Sequence, residues 1–129
     1  MEKISHSDAI SIVKKWFDQN GWKVYSREIQ FGDSYHNVDL ILKNEYGNYA
    51  ICEVKCTETD FAKAHSQINN VFNILQEKIG MNQVFKRIAI TRDLYEVFKS
   101  KDKINLIKAD LNKADIHLLV IYRTKVEKI

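Results

Sequence analysis

Proline is absent from this chain of 129 residues, glycine occurs four times and cysteine twice. With no proline, no repeat and no low-complexity or linker-like tract, nothing marks a domain boundary, and one domain spanning residues 1–129 is expected. No apolar run approaches the ~20 residues needed to cross a bilayer. The opening MEKISHSDAI has no apolar middle region of a secretory signal. The expectation is a soluble, cytoplasmic protein without a membrane partner. Cys52 and Cys56 lie four apart in a strand-like segment, on one face but not in disulfide geometry, so both are expected to be reduced and packed. His6, His36, His65 and His117 are scattered, with no H-x3-H or cysteine–histidine spacing, which argues against zinc. Gly47 is a lone turn glycine, so a P-loop, and with it a nucleotide cofactor, is excluded. The formal charge of +3 fits a polyanionic partner and a solvated lysine-rich face equally well.

What is present is a clear succession of periodicities. Ala9, Ile10, Ile12, Val13, Trp16 and Phe17 recur at helical spacing between an N-cap at Ser5 and a stop at Gly21. Lys23 to Phe31 and Val38 to Leu42 read as strands, separated by the polar stretch Gly32 to Asn37. The turn residues Glu45-Tyr46-Gly47-Asn48 lead into a third strand, Tyr49 to Cys56, which completes an antiparallel meander. A second amphipathic helix is expected over Asp60 to Ile79, ended by Gly80. A strand at Arg87 to Thr91, a helix at Arg92 to Ser100 and strands at Asn105 to Lys108 and His117 to Arg123 follow. The order is an αβββαβ core with a C-terminal αββ extension, an α/β fold with a mixed central sheet flanked by helices.

Two strands carry charges that strands of this kind do not need. In ICEVKC, Glu53 and Lys55 share one face while Cys52, Val54 and Cys56 share the other, where packing under a helix is expected. Removing both charges from water costs several kcal/mol per ion, so a stability motive is weak. Asp39 interrupts the preceding apolar strand, VDLIL, and the turn between them brings the two strands side by side. Two carboxylates then converge beside a lysine, a donor set suited to Mg2+.

Asp39, thirteen intervening residues and then Glu53-Val54-Lys55 resemble the D-x(n)-E-x-K signature of the PD-(D/E)XK nuclease superfamily. The αβββαβ order over roughly Ser7 to Thr91 is similar to that superfamily's restriction-endonuclease-like core. The wording VDLIL and AICEVKCT looks most like small archaeal Holliday-junction resolvases. The resemblance implies a metal-dependent DNA endonuclease that leaves 5'-phosphate and 3'-hydroxyl ends. It implies Asp39 and Glu53 as ligands of Mg2+, or Mn2+ in its place, with the Val54 backbone carbonyl completing the set and Lys55 as the catalytic lysine. Gln67 matches the glutamine that many members carry on the following helix, and Val38 stands where a proline often precedes the aspartate.

Other positions keep two readings. Asp8 matches the acidic residue that resolvase-like members place on the first helix as a metal ligand, but Ser5-His6-Ser7-Asp8 also fits a capping box. Glu28 and His36 stand near the same cleft or simply at solvated strand ends. Lys14, Lys15, Lys63, Lys86, Arg87 and the 99–103 lysines are dispersed and define no nucleic-acid path. A homodimer is expected, because one such site cuts one strand. The apolar IHLLVIY is either its contact surface or a buried central strand. The alternative to a nuclease is a protein of the same fold that no longer cuts and that binds nucleic acid or docks a partner.

Overall fold

A computed structural model describes residues 3–26, 38–79 and 83–129. Its elements run α1 (His6–Gln19), β1 (Trp22–Ser26), β2 (Leu40–Asn44), β3 (Tyr49–Lys55), α2 (Glu58–Ile79), β4 (Val84–Thr91), α3 (Arg92–Ser100), α4 (Ile104–Lys113), β5 (Ile116–Ile121) and β6 (Val126–Lys128). The six strands form one sheet in sequential order. β1, β2 and β3 are the expected antiparallel meander, β3, β4 and β5 are mutually parallel, and β6 returns antiparallel to β5. The α/β fold with a mixed sheet flanked by helices is therefore present. The expected strand residues 27–31, the stretch Gly32 to Asn37 with His36, Glu28 and Gly80 lie outside the described residues.

Each face of the sheet has its own apolar layer. On one, Ala9, Val13 and Phe17 of α1 pack over Leu40, Leu42, Ala50, Cys52, Val54, Ala89 and Leu119. On the other, Ala64, Ile68, Val71 and Leu75 of α2 join Leu94, Phe98 and Leu111 of α3 and α4 over Ile51, Ile88, Ile90 and Val120. β3 is buried along its whole length because both layers cover it. Among the described residues no helix is long and apolar enough to cross a membrane.

Local chemistry sets the element ends. Ser5 Oγ accepts from the Asp8 N–H at 3.1 Å and starts α1. Asn44 Oδ1 accepts from the Tyr46 and Asn48 N–H groups at 3.0 and 2.9 Å, and Gly47 at φ 82° supplies the left-handed residue that the β2–β3 turn requires. α2 begins two residues before the expected Asp60, because Thr57 Oγ1 accepts from the Asp60 N–H at 3.2 Å and caps the helix.

The C-terminal third departs from expectation at two points. Asn105 to Lys108, expected as a strand, is helical within α4. Ile104, Ile107 and Leu111 form a three-four stripe that packs on the α2-side core, and this burial outweighs the short alternation of Asn105-Leu106-Ile107-Lys108. β6 occupies a segment for which no strand was expected, joined to β5 by a turn in which the Tyr122 N–H donates to the Lys125 carbonyl at 2.9 Å. β5 lies between β4 and β6 with Ile116 and Leu118–Ile121 buried, so IHLLVIY is an interior strand and not a contact surface.

Candidate active site

The β2–β3 ladder pairs Leu40 with Cys52, which sets Asp39 opposite Glu53. The two acids hold each other's strands. The Asp39 N–H donates to Glu53 Oε1 at 3.1 Å, and the Val54 N–H donates to Asp39 Oδ2 at 2.7 Å. One oxygen of each carboxylate is thereby fixed by backbone, and the other turns to a side chain. Glu53 Oε2 lies 3.2 Å from Lys55 Nζ, and Asp39 Oδ1 lies 3.5 Å from His6 Nε2.

Lys55 Nζ also donates to Gln67 Oε1 at 2.7 Å, so α2 supports the lysine from the face opposite α1. Gln67 arrives there because Ala64 and Ile68, on either side of it, are fully buried against the sheet. Glu53 is 2% exposed and Lys55 9%, so this ion pair is part of the interior rather than of the solvated surface. Among the described residues every buried side-chain nitrogen and oxygen has a hydrogen-bond partner.

Electrostatics marks Glu53 as the perturbed member. Burial, and after it the Asp39 carboxylate, push its pKa from 4.5 up to about 7, against the opposing pull of Lys55. The Cys52 thiol is held well above its ordinary value, first by burial and then by the same two acids. Both cysteines are free, and Cys52 packs beneath α1.

Of the residues expected at this site, Asp39, Glu53, Val54, Lys55 and Gln67 come together. Asp8 sits exposed on the first turn of α1, with its N–H on Ser5, and the described contacts do not join it to the acidic pair. The side chain that α1 does deliver is His6, whose Nε2 lies 3.1 Å from the Val54 carbonyl oxygen. No spacing rule relates His6 to Val54, 48 residues away, so the sequence does not mark it as a site residue. The available signal was its place just after an N-cap, at the end of α1 that the meander brings to the strand ends.

The donor set fits a hard divalent cation. It offers two carboxylates and one backbone carbonyl at one strand end, with a lysine rather than a second cation beside them. Among the described residues no group of three or more histidine, cysteine, aspartate or glutamate side chains is arranged to hold a metal, so the remaining positions would fall to water and substrate oxygens.

Neither a protein-family model nor a curated protein sequence matches the chain. Solved structures do. An XisH family protein from Nostoc punctiforme aligns with TM-score 0.66 at 15% identity, covering 95% of this chain and 98% of the other. An fdxN element excision controlling factor protein from Anabaena variabilis aligns with TM-score 0.67 at 16% identity over the same shares. The EndoMS protein of a complex with double-stranded DNA aligns with TM-score 0.52 at 17% identity, covering 79% of this chain and 43% of that one. At these identities the likeness is one of fold.

Proposed function

We propose that this chain is a metal-dependent DNA endonuclease with Asp39, Glu53 and Lys55 at its centre. The observation that carries this reading is the reciprocal clamp of Asp39 and Glu53 beside a buried Lys55 that Gln67 holds from another element. A purely structural ion pair has no use for a second carboxylate that raises the pKa of the first. The likeness of fold to EndoMS, solved with double-stranded DNA, supports DNA as the substrate.

The roles follow from position. Asp39, Glu53 and the Val54 carbonyl would hold Mg2+, or Mn2+ in its place. When bound, that ion supplies charge neutralisation and a lowered pKa for water. Lys55 presents its remaining N–H donors to the attacking water or to a nonbridging phosphate oxygen, with the ammonium held by Gln67 and Glu53. A homodimer places two such sites against two strands, which suits cutting of both.

The test is cleavage of linear duplex, single-stranded, flap and four-way-junction DNA with Mg2+ or Mn2+, beside Glu53→Gln and Lys55→Ala. Cutting by the wild type that both substitutions abolish, in variants with unchanged circular dichroism, is the expected result. A folded wild type that cuts none of these substrates with either metal would overturn the reading and favour a binding protein of the same fold.

A further inference from the structure

The parallel arrangement of β3, β4 and β5 gathers three strand ends at one edge of the sheet. Lys55 ends β3 and pairs with Ile90, and Thr91 at the end of β4 pairs with Ile121 at the end of β5. Arg92 follows Ile90, the partner of Lys55, by two residues, so it lies roughly 8 Å from Lys55 at ~4.8 Å per strand and ~3.3 Å per residue, and the residues after β5 lie farther along the same edge. A cavity of about 300 Å3 opens there, lined among others by Ile4, Arg92, Tyr122, Arg123 and Lys125. Ile4 stands two residues before His6, which ties the same cavity to the α1 side of the site. A second cavity of about 300 Å3 continues past the β5–β6 turn, sharing Arg123 and Lys125 and adding Lys15 and Trp16 of α1.

Among the cations lining the first cavity, Arg92 is the one whose charge the described residues leave unmatched. Arg92 is half-buried and makes no hydrogen bond or ion pair from its side chain among the described residues. It is also the first residue of α3, where the helix dipole disfavours a cation and favours an anion. Asp93 is the one acid among the described residues that line the same cavity, and it does not pair with Arg92. Arg123 is exposed and reaches the Lys3 carbonyl at 3.5 Å. Lys125 is bonded to Glu127 at 2.7 Å, but in an exposed pair of the kind that exchanges readily for another anion. Tyr122, under Lys125, and Trp16 give the groove aromatic surfaces between its cations.

We infer that the groove around the β5–β6 turn is the path of the nucleic-acid backbone leaving the acidic site, with Arg92 and Arg123 each contacting a phosphate next to the scissile one. Consecutive phosphodiesters are the ligand this groove suits. Their axial spacing of ~3.4 Å per nucleotide places one or two nucleotides between Lys55 and Arg92. Cations alternating with aromatic faces are the features that hold a sugar-phosphate backbone without reading sequence. An incoming phosphate would both partner Arg92 and meet the favourable end of α3. This path rests on the nuclease reading above.

The experiment is fluorescence anisotropy of a short labelled duplex and of its single strand, without divalent cation, across a salt series. Arg92→Glu and Arg123→Glu should each weaken binding at least tenfold at low salt and reduce the log–log salt slope by about 1. Arg92→Gln and Arg123→Gln should lose less, and Lys113→Glu, exposed on α4 and away from the groove, should bind within twofold of wild type. A wild type that binds and cuts, with both glutamate variants equal to it in affinity and slope, overturns the path alone. A wild type that neither binds nor cuts overturns the path together with the nuclease reading.

Discussion

Lys55 and Gln67 are joined by a 2.7 Å hydrogen bond from the ammonium to the amide oxygen, and that bond links the E-x-K strand to α2. Two oxygens thus hold one nearly buried cation, Glu53 Oε2 by charge and Gln67 Oε1 by geometry. Gln67→Leu keeps the apolar packing of α2 and removes the amide. Hydrogen bonds to charged groups contribute ~1.5–3 kcal/mol, so single-turnover DNA cleavage should fall roughly ten- to hundredfold. Gln67→Glu, which keeps an oxygen at the same place, should retain more activity than Gln67→Leu. Equal rates for all three proteins would remove Gln67 from the reaction.

The Glu53–Lys55 pair also sets a stability test. Lys55→Met leaves the 2%-exposed Glu53 without its cation, and losing one partner of a buried pair costs about 3–5 kcal/mol at a pH where the survivor is charged. Adding Glu53→Gln to Lys55→Met should recover most of that loss. Without the pull of Lys55 the Glu53 pKa rises further, so the readout is a double-mutant cycle in urea at pH 9, and additive losses would show that the two groups do not interact.

Glu53 further predicts how stability varies with pH. Its folded pKa of about 7 lies above the ordinary 4.5, so between these values the folded state holds more protons than the unfolded one. Its contribution is fully present below pH 4.5 and is lost as the pH rises through 7. The loss is about 3 kcal/mol at ~1.4 kcal/mol per pKa unit. Denaturation at pH 5, 6, 7 and 8 without divalent cation should show this decline, and Glu53→Gln should flatten it. Mg2+ or Mn2+ should restore stability chiefly above pH 7, where the carboxylate is ionised. A wild-type profile as flat as that of Glu53→Gln would contradict the buried, repelled carboxylate.

The central part of this architecture was legible because its signals are local. Gly47 between Asn44 and Asn48 specified the turn, and that turn brought the Asp39 strand beside the Glu53 strand from sequence alone, while the exact pairing of the two acids comes from the ladder. Gln67 was marked only by the family resemblance, and it is in the fold that the apolar stripe of α2 carries it to Lys55. Signals failed where a tertiary contact decides the outcome. Asn105 to Lys108 alternates like a strand over four residues, and only the wider stripe Ile104, Ile107, Leu111 shows which period the core uses. β6 is three residues long, too short for any period, and exists because β5 offers it an edge. No local signal marks the groove cations for the same reason: Arg92 and Arg123 are distant in sequence, and parallel strand ends bring them together.

His6 is the site residue that only the fold could place, and it carries the last prediction. Its Nε2 lies 3.1 Å from the Val54 carbonyl and 3.5 Å from Asp39 Oδ1, between two of the oxygens proposed to hold metal. The imidazole is about half exposed, so removing it should cost little folding stability. Groups that orient metal-binding oxygens typically contribute 10–100-fold to affinity or activity, which sets the expected scale. His6→Ala should weaken Mn2+ binding by roughly that factor in calorimetry and slow cleavage most at limiting metal, while the urea midpoint stays near wild type. Ser5→Ala separates the ring from the helix that carries it. It removes the α1 cap at a cost of ~1 kcal/mol but leaves the imidazole in place, so its effect should appear in stability and not in metal affinity. If His6→Ala binds Mn2+ as tightly as wild type and cuts at the same rate, the ring is a surface group that merely rests on the Val54 carbonyl.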